Sequence, residues 1–217
     1  MDDLKKIINE NLNKNYELFS KNYEKFFDSL AASNLDEICS NVDAELNKDS
    51  EIMLDFFNNI VLLSIKEKKV FILPQNNKKA SPKALDIFAS SIILHYLLNA
   101  DGAPVAGQWI LYRDLPGGLF YDATIGGVLK PLVDKFKASG NAFIEKIQSL
   151  GGARASFGQY AGIIYPFKKF PVLFILEQKD EEFDASIRAL FDISAPHYIK
   201  TDIIKTLLVY TVKKLLT

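Results

Sequence analysis

The chain has 217 residues, 48% apolar and 24% charged, with a formal charge of −1 at neutral pH. That is the composition of a folded protein, so wholesale disorder is excluded, and so small a charge supplies no global field to draw in nucleic acid or an anionic membrane. A single cysteine, Cys39, rules out an intrachain disulfide, a CxxC pair and a thiolate zinc site. No apolar run reaches the ~18 residues of a membrane span, and Asp2-Asp3 after Met1 is the opposite of a secretory leader, so a cytoplasmic protein is expected.

From the N-terminus, Leu4, Ile7, Ile8, Leu12, Tyr16, Phe19, Tyr23, Phe27 and Leu30 recur at threes and fours. This predicts a long amphipathic helix with one apolar stripe, lying across the body of the protein or broken once near Asn13–Asn15. The stripe is core or a docking surface. Asn34 predicts a cap for a second helix, Leu35–Leu46, with Asp36 and Glu37 in its first turn. Residues 1–50 carry six lysines against eleven acidic residues, whereas the tail Lys200–Thr217 carries four against one. These are solvated helix faces, or surfaces that pair with each other or with partners.

Ile52–Ile65 reads as extended chain turning at Asn58-Asn59, followed by a Lys66–Lys69 turn and a strand Val70–Leu73. Ser81-Pro82 is a helix-start pair, serine capping and proline at the first helical position, which predicts a helix to about Asn99 with Gly102 as its stop. The Ile92-Ile93-Leu94 run places that helix centrally. A strand over Gln108–Leu115 breaks at Pro116-Gly117-Gly118. Next come a helix over Phe120–Lys137 that carries or follows Gly126-Gly127, and another over Asn141–Leu150. Strands follow near Tyr160–Tyr165 and over Phe170–Glu177. The latter ends in the acidic knot Asp180, Glu181, Glu182, Asp184, beyond which a second apolar run closes on Phe191-Asp192. A last helix is capped by Thr201. The order of elements gives an α+β fold: a mainly antiparallel or mixed sheet packed by helices, with the N-terminal helix outside it. The expected division is a helical segment, 1–48, and an α+β domain, 49–217, together one compact unit.

Several stretches carry a further signal. LHYLLNADGAPVAGQW (Leu94–Trp109), YRDLPGGLFYDAT (Tyr112–Thr124), YPFKKFPVLFILEQKDEEFDASIRALFD (Tyr165–Asp192) and APHYIKTDI (Ala195–Ile203) resemble, in order and spacing, the family known as domain of unknown function 3786. The resemblance covers roughly residues 50–215. It carries over no catalytic residue. It implies a setting in anaerobic bacteria and archaea whose metabolism uses corrinoids and iron–sulfur proteins. Relatives that join the domain to a cysteine-rich segment differ from this chain, which with one cysteine holds no iron–sulfur cluster alone.

Candidate chemistry is sparse. His95 reads either as a core histidine or as an axial ligand or general base, and His197 after Ala195-Pro196 poses the same choice. The acidic turn Asp180–Asp184 lacks the glycine and alternation of a calcium loop, so no metal site is expected there. Asp192, at the edge of the core, is expected to brace the Ser194–Tyr198 turn by accepting backbone N–H groups. Arg113-Asp114 beside Gly117-Gly118 is the best ligand loop, since glycine lets amides approach an anion and Arg113 forks onto one. Arg113, Arg154 and Arg188 are the only arginines. No GxSxG elbow or basic aromatic groove is present, which argues against that nucleophile class and against nucleic-acid binding.

The leading expectation is a non-enzymatic binding or accessory domain in anaerobic metallocofactor metabolism. Its ligand would be a corrinoid or tetrapyrrole, or its partner a metalloprotein. The alternatives are an enzyme on a small anionic substrate, using Arg113, Asp114 and His95, and a scaffold protein that forms a homodimer. No membrane partner is expected.

Overall fold

The computed structural model describes residues 19–74 and 81–217, and the protein is α+β with two antiparallel sheets. Leu4 to Tyr16 of the expected N-terminal stripe lie outside the described residues. Contacts group the chain into two units. The first takes residues up to Ala103 together with Phe167–Lys169 and His197–Lys200, and the second takes Pro104–Pro166, Phe170–Pro196 and Thr201–Thr217. The expected boundary after residue 48 falls inside the first unit.

In the first unit, residues 19–31 are helical (α1), with Phe19, Phe27 and Leu30 buried and Glu24, Lys25 and Asp28 exposed. Asn34 caps α2 (Leu35–Val42) by accepting the Glu37 N–H. Asp43 turns left-handed and ends this helix four residues before Leu46, the end that periodicity suggested. Leu46 instead joins β1 (Glu45–Leu46), the start of a sheet ordered β1-β2-β3-β4-β5. In β2 (Glu51–Phe56) the apolar residues alternate, so Ile52, Leu54 and Phe56 face the core, and register places Leu63 and Val61 of β3 (Asn59–Ser64) opposite the first two. Phe57 and Asn58, both at positive φ, make the tight hairpin turn, one residue earlier than expected.

After β4 (Lys69–Ile72), Lys83 and Ala84 form the edge strand β5, paired with Ile72 and Phe71. The helix expected from Ser81-Pro82 therefore starts later, as α3 (Ile87–Asn99), capped by the Asp86 carboxylate on the Ala89 N–H at 2.8 Å. A cap two residues beyond the edge strand lets the chain finish its ladder before it coils. Tyr96 of α3, fully buried, stacks on Phe167 with ring centroids 3.9 Å apart and lies 5.7 Å from the Tyr198 ring. Two segments from late in the chain thus complete the first core.

The second unit is built on a sheet ordered β6-β10-β9-β8-β7. It comprises β6 (Trp109–Leu111), β7 (Ala153–Ala155), β8 (Tyr160–Phe167), β9 (Phe170–Glu177) and β10 (Ser186–Asp192). Register pairs Val172, Phe174 and Leu176 with Phe191, Ala189 and Ile187, and all six are buried. The acidic run is the β9–β10 turn, as read from sequence. α4 (Ile125–Phe136) packs on β10 and on α6 (Thr201–Leu216), and α5 (Gly140–Ser149) lies against β7. Three short 3-10 turns, Tyr112–Asp114, Gly118–Phe120 and Asp122–Thr124, fill the stretch before α4. Gly126-Gly127 consequently open that helix instead of interrupting it. Thr201, expected as the cap of α6, is its first residue, and its hydroxyl donates to the Pro116 carbonyl at 2.7 Å.

Candidate functional site

Three places collect the polar side chains singled out above, and each sits where a strand or helix hands over to irregular chain. The first is Asp192, the last residue of β10 and fully buried. Its Oδ1 accepts the Ala106 N–H at 3.0 Å and the Ser194 N–H at 2.9 Å, and its Oδ2 accepts the Gly107 N–H at 2.6 Å. Burial alone would raise its pKa. The Ser194, Ala106 and Gly107 N–H groups outweigh burial and hold the carboxyl below the ordinary range. Asp192 therefore braces Ser194, as expected, and also ties down the loop before β6, more than 80 residues away in sequence.

The second place lies in the first unit, just after α3. His197 Nδ1 meets Asp101 Oδ2 at 2.7 Å, and the Asp101 N–H donates to the His197 carbonyl at 3.2 Å. The other carboxylate oxygen of Asp101 accepts the Ala103 N–H at 3.0 Å. The His197 contact is the main cause of a lowered Asp101 pKa, with the Ala103 amide second. Neighbouring bonds fix the same bend: the Asn41 amide donates to the Ala100 carbonyl at 3.0 Å, and the Tyr198 hydroxyl donates to the Ala103 carbonyl. Gly102, at φ +80°, presses so closely on Asn41 that a Cβ would stand 2.7 Å from its Oδ1. Both partners of the pair are about half exposed. The result is an imidazole with one nitrogen occupied by a fixed carboxylate and the other, Nε2, left as the ring's remaining donor or ligand atom. Sequence inspection raised His197 without its partner, because Asp101 lies 96 residues away.

The third place is the predicted ligand loop, in the second unit. Arg113 is half exposed, and its contact with Asp114 is long, 3.9 Å from Nε. Asp114 instead accepts the Leu111 N–H at 3.2 Å. Gly117 takes φ +74°, and a Cβ on Gly118 would lie 1.9 Å from the Tyr112 carbonyl oxygen, so both glycines are required by the turn itself. The Tyr112 hydroxyl, whose pKa burial raises well above the ordinary tyrosine value, donates to the Thr201 carbonyl at 2.7 Å. The loop is thereby fastened to the start of α6.

His95 belongs to the first unit, where the Phe26 and Phe19 rings lie 4.6 and 6.0 Å from its own. Arg113, Asp114, Gly117 and Gly118 belong to the second, so neither unit by itself joins all five candidates. Asp180 spends its carboxylate on the Phe183 and Glu182 N–H groups at 2.7 and 2.9 Å, which lower its pKa in that order. Cys39 is buried, and burial followed by nearby Asp36 raises its thiol pKa. Among the described residues no group of three or more His, Cys, Asp and Glu side chains is placed to hold a metal ion. No helix of the described residues is long and apolar enough to cross a membrane.

Comparison with curated proteins and with solved structures finds no match. The family described as Domain of unknown function (DUF3786) matches residues 34–214, and on that coverage the chain belongs to it.

Proposed function

We propose that the protein is a non-enzymatic binding or accessory domain in metallocofactor metabolism, offering His197 as a single ligand to a metal carried by another molecule. The observation behind this reading is the 2.7 Å contact between His197 Nδ1 and Asp101. A metal-binding histidine characteristically gives its second nitrogen to a carboxylate, which fixes the tautomer and makes Nε2 the better donor. Imidazole suits cobalt, iron and nickel alike. The anaerobic, corrinoid-using or iron–sulfur setting comes from the family resemblance alone.

Aquocobalamin and ferric haem serve as probes, because an imidazole replacing axial water shifts their visible bands. The wild-type chain should shift one of them at a saturable concentration. His197→Ala should abolish the shift, Asp101→Asn should weaken binding roughly 10–100-fold, and His95→Ala should leave it intact. No spectral change with either probe, or a shift that His197→Ala retains, refutes the reading.

A further inference from the structure

We propose that residues 119–127 form the twofold contact of a homodimer, with Phe120 of each copy seated on the exposed Gly126-Gly127 turn of the other. Leu119 and Phe120 are 74% and 88% exposed and Tyr121 is 42% exposed. A lone exposed apolar side chain is ordinary, whereas three in succession make a contact surface. This one is held rigidly. The Gly118, Phe120 and Tyr121 N–H groups each close a turn onto the Leu115, Gly117 and Gly118 carbonyls, and Thr201 and Tyr112 fasten its base to α6. An apolar prong already fixed in shape loses little conformational freedom on binding.

A second copy is the occupant because both halves of the contact lie on the same patch. Gly126 and Gly127 are exposed on the first turn of α4, and a Cβ added to either would meet nothing within 4 Å. They offer bare backbone a few residues from the prong. A knob beside its own receptor is what a twofold axis requires, where residue i meets j while j meets i. The flanking charges repeat the pattern. Lys205 sits 5.8 Å from the centre of the Tyr121 ring, partly buried, with burial lowering its pKa. Among the described residues it has no carboxylate within salt-bridge distance and Asp122 has no cation, so each is suited to the other across the axis. In area, the three apolar side chains leave on the order of 400 Å² in water, taking ~150–250 Å² for a large ring. Doubled by symmetry and extended over the glycine turn, this reaches the ~1,000 Å² that a specific interface needs.

Sedimentation equilibrium of the full chain, from low micromolar to millimolar, should show the mass rising from monomer to dimer. Phe120→Asp and Gly127→Gln alter exposed positions with room around them. Each should retain the circular dichroism and melting profile of the wild type and sediment as a monomer. Lys205→Glu should weaken the dimer about tenfold, and adding Asp122→Lys should restore it. A monomer at every concentration overturns the proposal, as does a dimer that survives Phe120→Asp. Binding of a monomeric wild-type chain to lipid vesicles or to a different protein, abolished by Phe120→Asp, overturns it too and gives the patch to that occupant. This inference is independent of the role proposed for His197.

Discussion

Replacing Asp192 tests whether a buried carboxylate ties the β10 end to the loop before β6. Three backbone N–H groups point at its two oxygens, from Ala106, Gly107 and Ser194. A hydrogen bond to a charged group contributes about 1.5–3 kcal/mol, which would put the full set at roughly 4.5–9 kcal/mol if all three donors were stranded. They are not, because Ala106 and Gly107 are themselves exposed and water reaches their amides once the carboxylate is gone. The expected cost of Asp192→Ala is therefore about 3–5 kcal/mol, and that of Asp192→Asn about 2 kcal/mol, since the amide keeps one acceptor but turns an NH₂ toward an N–H.

Trp109, the only tryptophan, is the register partner of Asp192 across β6–β10, so its emission reports this corner directly. With urea slopes of about 1–3 kcal/mol/M, the alanine variant should lower the midpoint by roughly 1–5 M. Acid supplies a second arm. The folded-state pKa of Asp192 lies below the usual value, so on acidification the unfolded chain takes up the proton first. Its stabilisation is thus complete above the unfolded pKa of ~3.9 and lost as pH falls through the folded one. The gap between wild type and Asp192→Asn should accordingly close below about pH 4. A midpoint unchanged in Asp192→Ala, or a gap that stays constant into acid, refutes the reasoning.

Three other outcomes are expected. Phe174, fully buried on the face that β9 shares with β10, should cost about 3–5 kcal/mol when cut to alanine, and an unaltered melting temperature would contradict the register. Gly118→Ala puts a methyl into the Tyr112 carbonyl and should destabilise by about 1–3 kcal/mol, measured by thermal unfolding; a neutral result would mean the turn is not held as described. EDTA should leave the melting temperature unchanged, because Asp180 uses its carboxylate on the amides of its own turn. A drop restored by magnesium or calcium would show a cation in the Asp180–Asp184 turn.

What could be read from the sequence was set by local physics. An extended apolar stretch turning at an Asn-Asn pair located β2 and β3, the Asn34 cap started α2, and two apolar runs around an acidic turn gave the β9–β10 hairpin. Misplaced boundaries arose where a distant strand overrode a local signal. Ser81-Pro82 is a sound helix start, yet pairing of Lys83-Ala84 with β4 moves that start to Asp86. The residues after Phe120 suit a helix, but Gly117 and Gly118 commit the chain to successive 3-10 turns until Ile125. The candidate site shows the same limit more sharply. No periodicity reports that Asp101 meets His197 or that Asp192 meets Gly107. Asp192 was found because its place at the end of an apolar run marks it as buried, and a buried carboxylate must find donors.

Those pairings also divide the family's sequence blocks into what folding explains and what it does not. Asp192 accounts for Ala106-Gly107, Tyr112 and Pro116 for Thr201, and Gly118 for the close passage of the Tyr112 carbonyl. Tyr198 and Ala103 account for each other, and Asn41 for the bend at Gly102. Each of these residues is needed to fasten one stretch of irregular chain to another, which requires no ligand. Three features within the same blocks are not accounted for by these fastenings: the second ring nitrogen of His197, the exposed Leu119-Phe120 prong, and a half-exposed Arg113 whose ion pair is long. Keeping an apolar prong in water costs solubility, and fixing an exposed imidazole on a carboxylate stabilises a fold little. The two proposals made above rest on the first two of these, and the scaffold that holds them is the part that folding explains.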